Sequence, residues 1–289
     1  MDDRDWLILH TLFNEKSITK AGQVLFIAQP TLTKRLKQIE TEFGVKIVNR
    51  GVKGVQFTPE GEYLAKRAEE LLSTFREIRE EIDNFNHYVA GTLRIGVSNF
   101  ISKYKLPGWL KLFKEQYPDV ECQIETGYSK HISTIAYTQD IHIGIIRGDY
   151  NWPGEKVLLF EEELCVASSE KIDLNDLPAL PRIDYQTDLL YKHIADNWWA
   201  ERFSQPSLIG ITVDRGDTCK EMVLNGLGYA ILPSLFFSKQ DAVFKIPLAT
   251  LDGAPITQKT WMVYHKEAEE LNVVKAFVEF IKQMDTENE

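Results

Sequence analysis

Residues 17–40 read SITKAGQVLFIAQPTLTKRLKQIE, and this stretch decides the fold of the amino-terminal part of the chain. Ser17 is a predicted N-cap for a short helix with a narrow apolar face. A three-residue turn follows, and Pro30 then stands in the first turn of a second helix, where its missing N–H costs little. We predict this helix over residues 31–40, with buried apolar positions at spacings of four and three: Leu32, Leu36 and Ile39.

Two short helices joined by a tight turn, the second of them polar and basic, are typical of a helix-turn-helix, here at about residues 18–37. Side chains near the start of the second helix can reach base edges in the major groove, namely Gln29, Pro30, Thr31 and Thr33. Basic side chains on the same helix are better placed to contact phosphates, namely Lys34, Arg35 and Lys37. A solvated basic helix in an ordinary three-helix domain is the competing interpretation.

A basic hairpin is predicted next, because two β-prone runs flank Gly51–Gly54. A basic hairpin after a helix-turn-helix is a wing, in which Arg50 and Lys53 would contact the DNA backbone or the minor groove. Residues 1–58 carry nine Lys and Arg against six Asp and Glu, although the whole chain has a net charge of −10. Local charge governs attraction to phosphate. We therefore predict a winged helix-turn-helix DNA-binding domain, all-α apart from its wing, over residues 1–58.

A long helix is predicted over residues 59–88, with Thr58 as its N-cap and Pro59 at its first position. Its apolar residues alternate at spacings of four and three over three heptads, at Leu64, Ala68, Leu71, Phe75, Ile78, Ile82 and Phe85. Such a seam is typical of helix–helix association, so we predict a linker helix that forms a dimer. The alternative is a helix that lies on its own domain, but a rod of about 45 Å exceeds what a small winged domain covers.

Residues 89–289 alternate strand-like and helical stretches, which predicts an α/β fold with parallel sheets. We place a hinge at residues 86–91 and two halves around a cleft. Subdomain I comprises residues 92–162 and 266–289, and subdomain II comprises residues 163–265. The predicted strands are Thr92–Val97, Glu121–Glu125, Ile141–Ile146, Leu164–Ser168, Ile209–Val213, Tyr229–Leu232 and Thr260–Tyr264.

Ligands of such sheets bind at the carboxyl ends of strands and the amino ends of the following helices. The residues predicted there are Ser98, Asn99, Ser102, Gly127, Tyr128, Ser129, Arg147, Asp217 and Thr218. Hydroxyls and free helix N–H groups suit a carboxylate or a phosphate, and Lys103, Arg147 and Lys220 could add positive charge. The same residue types are also common in caps and turns, so each keeps a purely structural interpretation.

The segment 17–40, continued by Phe43–Lys46, Arg50 and Phe57–Gly61, resembles the amino terminus of LysR-type transcriptional regulators. The resemblance extends over the whole chain. It implies an effector domain of two Rossmann-like subdomains, similar to periplasmic solute-binding proteins, after the DNA-binding domain and the linker helix. Two residues depart from the family pattern: Ala28 replaces a capping Ser, and Val48 stands where Phe is common.

Three further segments are similar to a narrower group, the citrate-responsive catabolite-control repressors of Gram-positive bacteria. They are His142–Gly148, Trp198–Trp199 and Asp217–Pro233. This resemblance implies citrate, a small polyanion, as the effector. We expect a homodimer or homotetramer on a pseudo-palindromic operator in double-stranded DNA, acting as a repressor or an activator with RNA polymerase as a further partner.

An enzyme is not predicted, because the chain has no G-x-S-x-G elbow, P-loop, G-x-G-x-x-G or H-E-x-x-H motif. No cofactor is expected. A solute-binding protein that uses the same two-lobed cleft without gene regulation is the alternative. That reading leaves the amino-terminal domain and the heptad helix unexplained.

The three cysteines, Cys122, Cys165 and Cys219, lie far apart, so we expect buried thiols and neither a disulfide framework nor a metal site. A redox-sensing Cys219 is the alternative. No apolar run approaches the roughly 18–20 residues that span a bilayer. The first residues are acidic, unlike those of a signal peptide. We therefore expect a cytoplasmic protein with no membrane partner.

Overall fold

The computed structural model describes residues 1–51, 54–84 and 89–286. The chain divides into two compact units, Met1–Asn86 and His87–Glu289. Three predictions fall outside the described residues: the wing residue Lys53, the seam residue Phe85 and the hinge positions 86–88.

The first unit consists of three helices, a hairpin and a long helix. In chain order these are α1 (Asp3–Glu15), α2 (Ile18–Val24), α3 (Gln29–Phe43), β1 (Val48–Gly51), β2 (Gly54–Phe57) and α4 (Pro59–Asn84). The two strands are antiparallel, as the predicted wing requires. The Ser17 hydroxyl accepts a hydrogen bond from the Lys20 N–H, which confirms the predicted N-cap of α2.

Helix α3 is longer than predicted at both ends. It begins at Gln29 although Ala28 offers no capping oxygen, and it ends where Gly44 takes a left-handed conformation with φ of 68°. The predicted buried positions are confirmed, since Leu32, Leu36 and Ile39 are at most 2% exposed. They pack into one core with residues of the neighbouring helices and of the hairpin, including Leu9, Leu12, Ala21 and Ile47.

Helix α4 begins with the predicted cap, because the Thr58 hydroxyl accepts a hydrogen bond from the Gly61 N–H at 3.0 Å. The apolar seam divides into two parts along the helix. Leu64 and Ala68 are buried in the core of the first unit, where α4 packs against α1. The later positions are exposed, from 37% to 58%: Leu71, Phe75, Ile78 and Ile82. Among the described seam residues, these four are therefore the ones available to a partner helix.

The second unit is an α/β structure with nine strands and six helices among its described residues. In chain order these are β3 (Gly91–Ser98), α5 (Asn99–Tyr104), α6 (Leu106–Gln116), β4 (Val120–Gly127), α7 (Ser129–Tyr137), β5 (Ile143–Arg147), β6 (Glu155–Ser168), β7 (Pro181–Tyr185), α8 (Leu189–Arg202), β8 (Leu208–Val213), α9 (Gly216–Leu224), β9 (Ala230–Pro233), β10 (Phe244–Pro247), β11 (Thr257–Tyr264) and α10 (Asn272–Thr286).

A seven-stranded sheet runs in the order β10-β6-β11-β5-β3-β4, with β9 paired to β6 as well. The prediction of parallel pairing holds for β3 with β4 and β5, and for the separate pair of β7 and β8. The strands β6, β9, β10 and β11 pair antiparallel, so the large sheet is mixed. Strands joined through a helix can pair in parallel. No helix separates β5 from β6 or β10 from β11, and β6 and β11 pair antiparallel.

The long strand β6 is shared between two lobes. Its first part pairs with β11, and its last residues pair with β9 and β10. We define the first lobe as residues 89–162 and 257–286 and the second lobe as residues 163–256. The return to the first lobe thus precedes β11, which lies between β5 and β6 and not within subdomain II as predicted. Among the described helices, none is both long and apolar enough to cross a membrane.

Candidate functional site

Helix α3 presents a polar and basic surface on the side opposite its buried residues. Lys34 and Lys37 are exposed, and neither forms an ion pair with a described carboxylate. The other predicted base-contacting residues lie at the start of the same helix, with Thr33 half-buried and three more exposed: Gln29, Pro30 and Thr31. These side chains lie around the amino end of α3, which has no side-chain cap. An exposed polar helix start of this kind suits insertion into the major groove.

Arg35 occupies a different position from its neighbours on α3. Its Nε donates to Asp5 Oδ1 at 2.5 Å, and its terminal nitrogen donates to Asp5 Oδ2 at 2.8 Å and to Asp2 Oδ2 at 3.1 Å. Asp5 is only 1% exposed. The guanidinium therefore ties α3 to the first turn of α1, so the predicted phosphate contact has to compete with a bidentate ion pair inside the unit.

The hairpin that carries the predicted wing is anchored to the helices. The Val55 N–H donates to the Lys16 carbonyl at 3.1 Å, and the Ile47 N–H donates to the Glu40 carboxylate at 2.9 Å. These contacts hold β1 and β2 beside α3. Arg50 lies in β1, next to the turn that contains Lys53 in the sequence.

In the second unit a cleft of about 660 Å³, part of it open to solvent, lies between the two lobes. The structure brings six of the predicted effector residues together in its lining: Ser98, Asn99, Gly127, Tyr128, Arg147 and Asp217. Three of them end β3, β4 and β5, two come directly after β3 and β4, and Asp217 lies in the first turn of α9, as the rule for carboxyl ends of strands requires.

Three predicted residues are not among those that line the cleft. The Ser102 hydroxyl donates to the Asn99 carbonyl at 2.8 Å, and the Thr218 N–H donates to Asp217 Oδ1 at 3.0 Å. Ser129 is buried and comes directly after the lining residues Gly127 and Tyr128 in the chain. Ser102 and Thr218 thus make local hydrogen bonds within α5 and α9, which agrees with the structural interpretation that the sequence left open.

Arg147 reaches the cleft but has a partner behind it. Its guanidinium forms a buried ion pair with Glu162, and its Cζ lies 4.3 Å from the centroid of the Phe100 ring. Burial raises the pKa of Glu162, and the neighbouring Arg147 opposes this shift. The Arg147 Nε and the Ser98 Oγ have no hydrogen-bond partner within the described part of the chain.

A second ion pair joins the lobes at the rim of the cleft. Asp217 in the second lobe accepts from Lys103 Nζ of the first lobe at 2.9 Å and from Arg215 Nε at 3.0 Å. The hydrogen bond from Arg215, together with that from Lys103, holds the pKa of the Asp217 carboxyl well below its usual range. Lys220, also predicted to add charge, pairs with Asp241 at 2.9 Å and does not line the cleft.

The sequence did not reveal the part of the cleft that follows β7. The strand begins with Pro181 and carries the charged residues Arg182 and Asp184, so its pattern does not indicate a strand. Because β7 was missed, so was the loop at its carboxyl end. Lys103, predicted to add charge, does line the cleft. The lining residues found only in the structure are Phe100, Tyr104, Tyr185, Gln186, Thr187, Asp188, Asp214, Arg215, Gly216 and Phe236.

The thiols and the metal-binding residue types add no further site. Cys165 and Cys219 are buried, and burial raises the pKa of each thiol to about 12. A thiol with such a pKa is a poor nucleophile near neutral pH, which argues against redox sensing by Cys219. Among the described residues, no three His, Cys, Asp or Glu side chains are placed to hold a metal ion.

Comparison with known proteins assigns both units to one family. Residues 4–62 match the family model of bacterial regulatory helix-turn-helix proteins of the lysR family, and residues 86–285 match the LysR substrate binding domain. The chain is 37% identical to the uncharacterized HTH-type transcriptional regulators YraN and YkuM of Bacillus subtilis (strain 168). The YraN match covers 98% of both chains, and the YkuM match covers 97% of both.

The fold is also that of a solved regulator. Full-length CbnR, complexed with its target DNA, matches with a TM-score of 0.66 and 17% identity over 98% of this chain and 99% of that one. The family and the relatives are regulators and not enzymes. The chain therefore belongs to the LysR family, and it is a DNA-binding transcriptional regulator with an effector-binding domain.

Proposed function

We propose that this regulator binds a pseudo-palindromic operator as a dimer or a pair of dimers, and that a small anionic metabolite in its cleft changes that binding. Citrate is the leading candidate. The observation that carries the proposal is the cleft between the lobes, which is lined by Lys103, Arg147 and Arg215. Hydroxyl and cationic donors that converge in one cleft suit a carboxylate ligand.

The DNA-binding part of the proposal is supported by the exposed surface of α3. Lys34 and Lys37 can neutralise phosphates, while the polar residues at the start of the helix can reach base edges. RNA polymerase is a proposed further partner, because a regulator bound beside a promoter acts where the polymerase binds.

Dimerisation is supported by the second part of the seam on α4. Four large apolar side chains at heptad spacing are exposed there, which is costly unless another surface covers them. We expect Phe75→Asp to shift the protein toward the monomer in sedimentation velocity. Thr74→Asp is the matched control, because Thr74 is an exposed neighbour outside the seam. An unchanged sedimentation coefficient for Phe75→Asp would contradict this use of the seam.

Citrate is favoured because a polyanion can engage several donors in the cleft at once. Every cation of the lining already has a carboxylate partner, namely Glu162 for Arg147 and Asp217 for the other two. An entering ligand must therefore offer more charge than it displaces. The effector can change the affinity for DNA only as far as it binds one conformation of the protein more tightly than the other.

The test is a footprint on DNA upstream of the protein's own and neighbouring genes, with and without citrate. We expect a protected site whose extent or bending changes with citrate in the wild type and in Lys220→Gln. The response should be weaker in Lys103→Gln, which removes the same charge from the cleft. If the protected site does not change with citrate but changes with another carboxylate, that carboxylate is the effector. No protection of these regions or of genomic fragments would contradict the operator-binding proposal.

A further inference from the structure

Asp188 stands at the N-cap position of α8, yet its carboxylate makes no capping bond to that helix. It reaches across the cleft to the first lobe. Asp188 Oδ2 accepts from the Ser129 hydroxyl at 3.0 Å and from the Ser129 N–H at 3.3 Å, and Oδ1 accepts from the Tyr150 hydroxyl at 3.4 Å. Asp is among the strongest N-capping residues, so α8 loses the stabilisation that Asp188 could provide as its cap. The hydrogen bonds to the first lobe must offset this loss.

The contact falls on the amino end of the nine-residue helix α7. Its own N-cap, Tyr128, provides no side-chain cap, and its first turn contains no acidic residue. The Ser129 hydroxyl accepts a hydrogen bond from the Arg147 N–H at 3.1 Å, which directs its own proton toward Asp188. The carboxylate is therefore held by neutral donors and by the positive end of a helix dipole.

Two buried donors beside this contact have no partner within the described residues. Ser98 is 3% exposed and Arg147 is 8% exposed, and their Oγ and Nε atoms are unpaired. Both residues line the same cleft. Buried donors are rarely left unpaired in native proteins, so these two indicate a polar ligand that the Asp188 carboxylate does not fully replace.

We propose that Asp188 is a tethered carboxylate that occupies the anion site at the start of α7 and holds the lobes together until a free carboxylate displaces it. This inference rests on the proposed function, because it assigns the regulation of the same cleft. A free ligand that takes the place of Asp188 keeps the bonds to Ser129 and can add bonds to Ser98 and Arg147. The displaced Asp188 then returns to solvent or to its own helix, where it can cap α8.

The geometry separates this role from a purely structural contact. If Asp188 only braced the lobes, its removal would loosen them, and a free carboxylate would not restore them. If Asp188 stands in for a ligand, the vacated site accepts a small carboxylate that carries no tether. Acetate is a suitable probe because it carries the same carboxylate. It is also too small to contact the rest of the cleft, so its binding reports on this site alone.

The experiment uses the full-length protein without DNA and without citrate. We compare wild type, Asp188→Ala and Asp196→Ala, which removes the same charge from an exposed position on the same helix. Hydrogen exchange of the Ser129 amide and the thermal midpoint are measured in acetate and in chloride at equal ionic strength. We expect the Ser129 amide to exchange at least about tenfold faster in Asp188→Ala. Acetate but not chloride should reverse this change, while the wild type and Asp196→Ala respond to neither.

Two results would overturn the inference: a wild-type exchange rate for Ser129 in Asp188→Ala, or an acetate effect no larger than that of chloride. Asp188→Gly also vacates the site and is tolerated at an N-cap, so it carries the same test if the alanine variant does not fold. Since neither DNA nor citrate is present, a footprint that ignores citrate does not affect this result. Failure of acetate rescue likewise leaves the footprint experiment unaffected.

Discussion

The recognition helix α3 and the effector cleft were both predicted to bind anions, but they hold their cations differently. On α3, Lys34 and Lys37 are exposed and have no carboxylate partner among the described residues. In the cleft, Arg147 pairs with Glu162, and the cations at the rim share Asp217. The cations exposed on α3 are therefore available to an anion, whereas those of the cleft are already neutralised within the protein.

Burial explains the difference for Arg147. An exposed lysine keeps its hydration and needs no partner, whereas a charge as buried as that of Arg147 is costly unless it is paired. Lys103 and Arg215 are exposed, so their pairing with Asp217 follows from proximity and not from burial. DNA, which this regulator binds, carries phosphates at high density, so accessible cations such as those on α3 suit it. A cleft whose cations are already paired discriminates among ligands. A ligand binds there only if its interactions with the cations are more favourable than those of Glu162 and Asp217.

The largest effect is expected for Arg147→Ala, which leaves Glu162 buried without its partner. We expect the second unit to lose about 3–5 kcal/mol of unfolding free energy, measured by urea denaturation. The double variant Arg147→Ala/Glu162→Gln should recover much of this loss, because the uncompensated charge is removed. A single variant as stable as the wild type would show that the ion pair is not needed, and loss of the effector response could then be assigned to ligand contact alone.

Arg35→Ala should destabilise the first unit, because buried Asp5 loses both of its hydrogen bonds from the guanidinium. We expect the midpoint of thermal unfolding of this unit to fall by about 4–8 °C. Arg4→Ala, an exposed arginine in α1, is the control for loss of positive charge alone. If Arg35→Ala instead leaves stability unchanged and weakens DNA binding, Arg35 contacts phosphate as the sequence suggested.

Lys34→Ala should give the opposite phenotype, although it is the adjacent residue. We expect unchanged stability, weaker binding to all DNA sequences and a salt dependence of log K that falls by about one unit. Binding measured over a series of salt concentrations tests this expectation. Lys16→Ala, which removes a lysine beside the hairpin and outside α3, provides the comparison. An unchanged salt slope would remove Lys34 from the interface.

The smallest effect concerns acid stability at the rim of the cleft. Because the folded state holds the pKa of Asp217 below its usual value, its ion pairs stabilise the protein above the unfolded pKa of about 3.9. This stabilisation, about 1 kcal/mol, is lost as the pH falls through the lower folded pKa. The difference in unfolding free energy between wild type and Asp217→Asn should therefore shrink below about pH 4. A difference that stays constant as the pH falls would contradict this expectation.

Local signals were enough to predict much of the fold. Hydroxyl caps at Ser17 and Thr58 mark the starts of α2 and α4, and the buried spacing of α3 follows from its sequence alone. Prediction failed for β7 and β10 because both are short strands with proline and charged residues. Their pairing depends on strands distant in the sequence, and no local periodicity reports such partners.

By itself, the sequence determined the order of the units, the helix-turn-helix and seven of the residues that line the cleft. Caps, heptad spacing and the carboxyl ends of strands are local features, so a local pattern reports them. Only the tertiary structure decided which charges are free: Arg35 is bound to Asp5, Arg147 to Glu162, and Asp188 reaches Ser129 in the other lobe. Each of these partners is separated by at least 15 residues in the chain, and such pairing is set by packing and not by local sequence.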